Sequence, residues 1–282
     1  MIYYIATTGN DTTGAGTLAS PWLTISKAFN SSTNGDTINV AAGTYTWLDQ
    51  NFTSGRIVTG PAIVRGSQLP TAIFDAAGLD KYWRFDNNTF VFNNLMLQNF
   101  VNADNATSTL WSNGASNVTW NDCVFRNGTM TSTNQSICLF GANGGGAVLT
   151  LNRCVLYGMN STSGNTGYWG NTGWEYVTTT INGCIFYCTS PTPVSVTSRA
   201  GSAGYIITAK NSIFYTAIAC GWHYSSTAFT WSGGATNLNF GYSSAPAGAA
   251  ITVTTDPLFV DASAGNFNLR PGSPAWGMGT TL

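Results

Sequence analysis

Side chains able to do chemistry are scarce. The 282-residue chain carries eleven acids, ten Lys or Arg and one His, and only 7% of its residues are charged, against an ordinary ~25%. Their densest run is "DAAGLDKYWRFD", Asp75–Asp86. General acid–base work needs a carboxylate and a partner held within hydrogen-bond reach, so Asp80, Arg84 and Asp86 are the weak catalytic candidates. A calcium ion there would need several further oxygen ligands from distant parts of the chain. The other acids, Asp11, Asp36, Asp49, Asp104, Asp122, Glu175, Asp256 and Asp261, are thinly spread. His223, in "CGWHY", has no visible partner and is expected to be a loop or packing residue. The six cysteines, Cys123, Cys138, Cys154, Cys184, Cys188 and Cys220, contain no CxxC pair, so no metal site is expected.

Aromatic side chains offer a second kind of chemistry, stacking on sugar rings. Tyr157, Tyr187 and Tyr215 recur at steps of 30 and 28 residues. Trp169 and Trp174 stand in "GYWGNTGWEY", and Trp222 in "CGWHY". These six residues are the glycan-binding candidates. Net charge is −1, which gives no attraction to nucleic acid or to an acidic membrane. No apolar run reaches the ~18 residues of a membrane span. The start, "MIYYIATTGND", lacks a basic n-region and an h-region, so no signal peptide is visible and no membrane insertion is expected.

The elements that must position these residues are legible in a repeat. "NDCVFRNG" at Asn121–Gly128 returns as "NRCVLYG" at Asn152–Gly158 and "NGCIFYC" at Asn182–Cys188, with fainter copies "NNLMLQN" at Asn93–Asn99 and "KNSIFYT" at Lys210–Thr216. With Leu95, Cys123, Cys154, Cys184 and Ser212 as position zero, the steps are 28, 31, 30 and 28 residues, the period of a solenoid. Apolar residues at −5 and −3 alternate with a mostly Thr column at −4, and apolar residues return at 0 and +2. That is the two-residue period of strands. The Asn column at −2 (Asn93, Asn121, Asn152, Asn182) is expected to sit at a bend between two short strands, where Asn tolerates a left-handed backbone, and to form a stacked amide ladder. Room remains in each repeat for a third strand. Cys123, Cys154 and Cys184 are expected to stack inside as free thiols, because side chains in one column point the same way and a disulfide needs specific geometry. Asp122 and Arg153, on adjacent turns at −1, form an expected ion pair. Column +1 (Met96, Val124, Val155, Ile185, Ile213) and column +3 (Gln98, Arg126, Tyr157, Tyr187, Tyr215) point outward. So apolar a ribbon must be covered, by loops, by another subunit or by a sugar.

These columns resemble the right-handed parallel β-helix, the pectate-lyase-like fold. Tyr3–Tyr45, with "YYIATTGND", "TISKAFN" and "GDTINVAAGTY", is similar to the N-terminal signature of right-handed β-helix repeat proteins, and "DPLFVDASAGNFNLRPGSPAWGMGT", Asp256–Thr280, to their closing segment. The resemblance implies an all-β solenoid in a single domain over 1–282, and dividing the chain by its own period gives roughly eight coils. Residues 1–37 would form an N-terminal strand and a short capping helix at Thr24–Asn30, 38–255 the coils, and 256–282 a closing segment over the far end.

The group includes polysaccharide lyases, hydrolases, epimerases and phage spikes, so the resemblance is broad for function. The favoured expectation is a non-enzymatic structural or adhesion module on a virion or extracellular surface, akin to a phage spike, fibre or decoration protein. Its partners would be other virion or surface proteins, host-surface glycan and its own copies, as a trimer. It would need no cofactor. The alternative is a secreted lyase or hydrolase acting on acidic polysaccharide, for which calcium would be a cofactor. The outward Thr column, Thr119, Thr150, Thr180 and Thr208, makes ice binding a third, lesser expectation.

Overall fold

The computed structural model describes the chain except for residues 64–68, 104–108, 132–138, 144–145, 162–166, 169–170, 174–176, 189–193, 196–197, 200–204, 221–228, 232–236, 243–250 and 279–282. Short strands alternating apolar and Thr cannot bury a core alone, and they bury it here by stacking into a parallel β-solenoid. The first sheet has nine parallel strands, from Ile2–Ile5 to Phe229–Trp231, and the second has nine, from Gly43–Thr46 to Ile251–Val253. A third has six, from Gln50–Phe52 to Ser198–Arg199, and a short fourth joins Val101–Asn102, Thr129–Met130 and Asn160–Ser161. The repeat is in full register over four consecutive turns, where Asn93, Asn121, Asn152 and Asn182 stand side by side in the first sheet.

The Asn ladder forms. The Asn121 amide donates to Asn93 Oδ1 at 2.8 Å, and that of Asn152 to Asn121 Oδ1 at 2.9 Å. The bend, however, lies one residue later than expected. Each Asn ends its strand, and the left-handed residues are Asn94, Asp122, Arg153, Gly183 and Asn211, with φ between 52° and 64°. Asp122 and Arg153 accept this conformation while paired in a fork, at 2.9 and 2.7 Å.

Cys123, Cys154 and Cys184 are fully buried and free. They are more than small hydrophobes, because they also join the turns. The Cys154 N–H donates to Cys184 Sγ at 3.4 Å, the Cys184 N–H to Ser212 Oγ at 3.1 Å, and the Ser212 N–H to Asn237 Oδ1 at 3.0 Å. The Cys154 and Cys184 thiols in turn reach the carbonyls of Trp120 and Leu151. A polar or thiol side chain at position zero thus satisfies backbone groups at the corner, where the ladder is interrupted. Around this column the interior is aromatic: Phe92 stacks on Trp120 at 4.1 Å, and Trp83, Phe85 and Phe90 are almost fully buried.

The helix runs from Ile25 to Ser31, with the Thr24 side chain accepting from the Lys27 N–H. Its buried face is Ile25, Ala28 and Phe29, and Phe29 lies 4.0 Å from Phe52. The buried Arg56 donates to Ser32 Oγ and to the Ser32 carbonyl, fastening the helix C-terminus.

The C-terminal segment was expected over the far end of the stack, but it packs along the side. Phe259–Asp261 pairs antiparallel with Asn266–Leu269. Phe259, Ala262, Phe267 and Ala275 lie on the outward face of the second sheet, against Val124, Val155, Ile185 and Ile213. Ile63 and Leu69 join the same cluster near Ile73 and Met96. The apolar ribbon is therefore covered by its own chain.

Candidate functional site

The outward +3 column of the second sheet is longer than the sequence alignment made it. Backbone register places Asp75 beside Gln98, then Arg126, Tyr157, Tyr187, Tyr215 and Phe240 on successive turns. The side chains are joined. Asp75 accepts from Gln98 Nε2 at 2.6 Å, from Asn99 Nδ2 on both oxygens at 3.1 and 3.0 Å, and from the Ala77 N–H at 2.7 Å. Gln98 Oε1 accepts from Arg126 Nε at 2.8 Å and Nη2 at 2.6 Å, and Arg126 Nη1 donates to the Tyr157 hydroxyl at 3.2 Å. Partial burial alone would raise the Asp75 pKa. The Ala77 N–H, the Gln98 and Asn99 amides and the Arg126 charge outweigh it and hold the carboxyl below its ordinary value.

Beside Asp75 runs a second amide ladder. Asn127 Nδ2 donates to Asn99 Oδ1 at 3.2 Å, and Asn99 hands its own donors to Asp75. Both asparagines have φ 55° and Gly158 follows at φ 65°. These residues turn the chain from the second sheet into the short fourth one, leaving their amides on the outer edge. Asp75, Asn99 and Asn127 form one wall of an open groove of about 410 Å³, completed by Ala77, Gly78, Phe100, Val101 and Thr129. Grooves of this size with a few convergent polar groups suit small ligands. A calcium ion does not fit at Asp75: its oxygens face N–H donors, whereas calcium needs a shell of oxygens.

The weak catalytic candidates divide. Asp80 is exposed and its backbone bridges to Val101, at the groove. Arg84 and Asp86 lie on the third sheet, paired at 2.8 Å. Lys81 reaches Asp49 at 3.4 Å.

Of the glycan-binding candidates, Tyr157 is only 6% exposed, edge-on to Phe267 at 5.2 Å. Gly265, at φ 83°, lets the C-terminal segment pass, because a Cβ there would stand 2.7 Å from the Tyr157 hydroxyl. Tyr157 therefore has no ring face left for a sugar. Tyr187 and Tyr215 stack at 4.6 Å and are half-buried, with Phe259 against both and Phe267 against Tyr187. Desolvation pushes both hydroxyls above the ordinary tyrosine pKa, helped by the charge of the other tyrosine at Tyr187 and of Asp256 at both. Trp169, Trp174 and Trp222, like His223, lie outside the described residues.

Sequence reading missed Asp75, Asn99 and Asn127 as site residues. Gln98 and Arg126 were already in the column. Carrying the alignment back one turn, across the insertion between Ile57–Thr59 and Ala72–Asp75, would have added Asp75.

Residues 7–52 match a family model described as "Protein of unknown function (DUF1565)". Among solved structures, a rhamnogalacturonan lyase is 11% identical, with TM-score 0.35, over 99% of this chain and 99% of that one. The crystal structure of pectate lyase Pel9A is 12% identical, with TM-score 0.27, over 97% of this chain and 90% of that one. No curated protein matches the chain. By its stacked parallel sheets, in-register turns and corner ladders, the chain is a parallel β-helix, a fold that does not by itself dictate an activity.

Proposed function

We propose that the chain is a non-enzymatic adhesion module, a rigid β-helix displayed on a virion or extracellular surface that holds glycan in the groove beside Asp75, Asn99 and Asn127. We read its sheets as roughly eight coils, with the helix at Ile25–Ser31 closing the N-terminal end. The observation that carries this reading is the state of Asp75. Both of its oxygens are engaged by three donor residues, which with the Arg126 charge hold the carboxyl below its ordinary value. A general acid or base must exchange protons near the working pH. A carboxylate braced in this way instead pre-organises neighbouring amides, which favours recognition over turnover. The ribbon, once covered by its own chain, gives no reason for a second subunit. A trimer remains part of the proposal by resemblance to phage spikes.

The test is to incubate the protein with pectin, alginate and capsular and neutral polysaccharides, with and without calcium. Retention in affinity electrophoresis, without release of unsaturated or reducing sugars, is the expected result. Reproducible turnover that is lost in Asp80→Ala or Arg84→Ala would replace this reading with the lyase or hydrolase alternative.

A further inference from the structure

The amide ladder along the groove is polarised, and this bears on which sugars it accepts. Resting on the glycan-binding reading, we infer that the groove selects uncharged sugars, neutral hexoses or N-acetylhexosamines, over uronates and sulfated sugars. Asn127 donates to Asn99 and Asn99 donates to Asp75, so the donors of the wall run inward to the carboxylate. A sugar hydroxyl both donates and accepts and can pair with amide or carboxylate edges, whereas an ionised carboxylate or sulfate only accepts.

Charge points the same way. The described lining includes the Asp75 carboxylate and no Lys or Arg. The Asp80 backbone bridges to Val101 beside this lining. Arg126, whose charge acts on Asp75, directs its donors along the column to Gln98 and Tyr157 and is not among the described lining. Ala77 and Val101 offer small apolar patches for the C–H face of a pyranose, and Gly78 leaves the space beside it open.

The experiment measures binding of the full chain to neutral gluco-, manno- and N-acetylchito-oligosaccharides, and to galacturonate and alginate oligomers of matched length, by calorimetry. At low salt, neutral sugars should bind at least ~10-fold tighter, and the gap should shrink to about 2–3-fold near 0.5 M salt as the charges are screened. Asn127→Gly keeps the left-handed turn and should weaken neutral binding by about 10-fold. Asp75→Asn should shrink the low-salt gap to about 2–3-fold. Should that variant fail to fold, Asn127→Asp, at an exposed position whose backbone Asp tolerates, should widen the gap several-fold. Uronates bound as tightly as neutral sugars by the wild type, or a gap unmoved by these charge changes, would overturn the selectivity and leave the glycan reading standing. Binding of neither class would overturn both.

Discussion

One column of the second sheet has two halves. Asp75, Gln98 and Arg126 occupy the same backbone positions, turn after turn, as Tyr157, Tyr187 and Tyr215. All face outward at the ~4.8 Å spacing of parallel strands. The first half is held by hydrogen bonds, and its Asp75 lines an open groove. The second is held by ring stacking and lies under the C-terminal segment. Arg126, donating to the Tyr157 hydroxyl, is the seam. Position in a solenoid therefore fixes direction, while the segment packed above decides whether a side chain meets an open groove or the core.

The comparison breaks most sharply if the cover is weakened. Phe267 is 1% exposed and meets Tyr157, Tyr187 and Phe259. Phe267→Ala should lower stability by about 3–5 kcal/mol, the cost of an emptied aromatic site, in denaturant unfolding. It should also raise binding of an apolar dye, since the ribbon beneath would be uncovered. A near-wild-type midpoint would mean that the aromatic half does not depend on its cover.

The polar half should depend instead on its bridge. Gln98→Leu keeps the volume but leaves Asp75 and Arg126 without their shared amide. A loss of about 1–3 kcal/mol is expected, the penalty for stranding partly buried polar partners. Calorimetry showing no change would reduce the column to a chance alignment of exposed groups.

Titration should separate the halves by direction. The Asp75 pKa is depressed below the unfolded value of about 3.9. Its contribution is present above pH ~4 and is lost as pH falls through the folded value. Asp36, held down to about 2 by the Met1 amino group and the Thr33 N–H and hydroxyl, adds to the same acid-side loss. Tyr187 and Tyr215 are raised above the unfolded value of about 10. Their contribution is present below pH ~10 and is lost as pH rises through the folded values. Thermal melts across pH should therefore be level from about 5 to 8 and fall on both sides, the buried Cys123 and Cys154 thiols adding to the alkaline limb. Tyr187→Phe should flatten only the alkaline limb and Asp75→Asn only the acid one.

The smallest effect concerns the interior column behind both halves. Burial pushes the Cys123 thiol up to about 12, against weaker lowering by nearby backbone groups, and raises Cys154 as well, with the neighbouring Cys184 adding to it. Since the thiolate is the nucleophile, neither should react with a thiol reagent at pH 8 faster than the chain unfolds. Labelling of native protein at Cys154 within minutes would show that the column is open to solvent.

Much of this was legible in the amino-acid sequence, because stacking imposes the same local demand on every turn. An apolar residue at −3, an amide at −2 and a small hydrogen-bonding or apolar side chain at zero recur, and these recurrences are the ladders seen at Asn93–Asn121–Asn152 and Cys154–Cys184–Ser212. The corner itself was misplaced by one residue. Arg153 is an unusual bearer of a left-handed backbone, a conformation that Asp122 tolerates more readily, and the two side chains pair across the corner.

The sequence by itself therefore determined the repeat, the inward and outward columns and the need to cover an apolar ribbon, all consequences of side-chain alternation within one turn. Tertiary structure alone decided what covers the ribbon and where the groove lies. The cover comes from Phe259 and Phe267, far along the chain from Tyr157. The groove depends on Asp75 reaching its column across an insertion that conceals the period. Neither contact leaves a periodic trace, because each is made once, between segments whose spacing along the chain is unrelated to the turn of the helix.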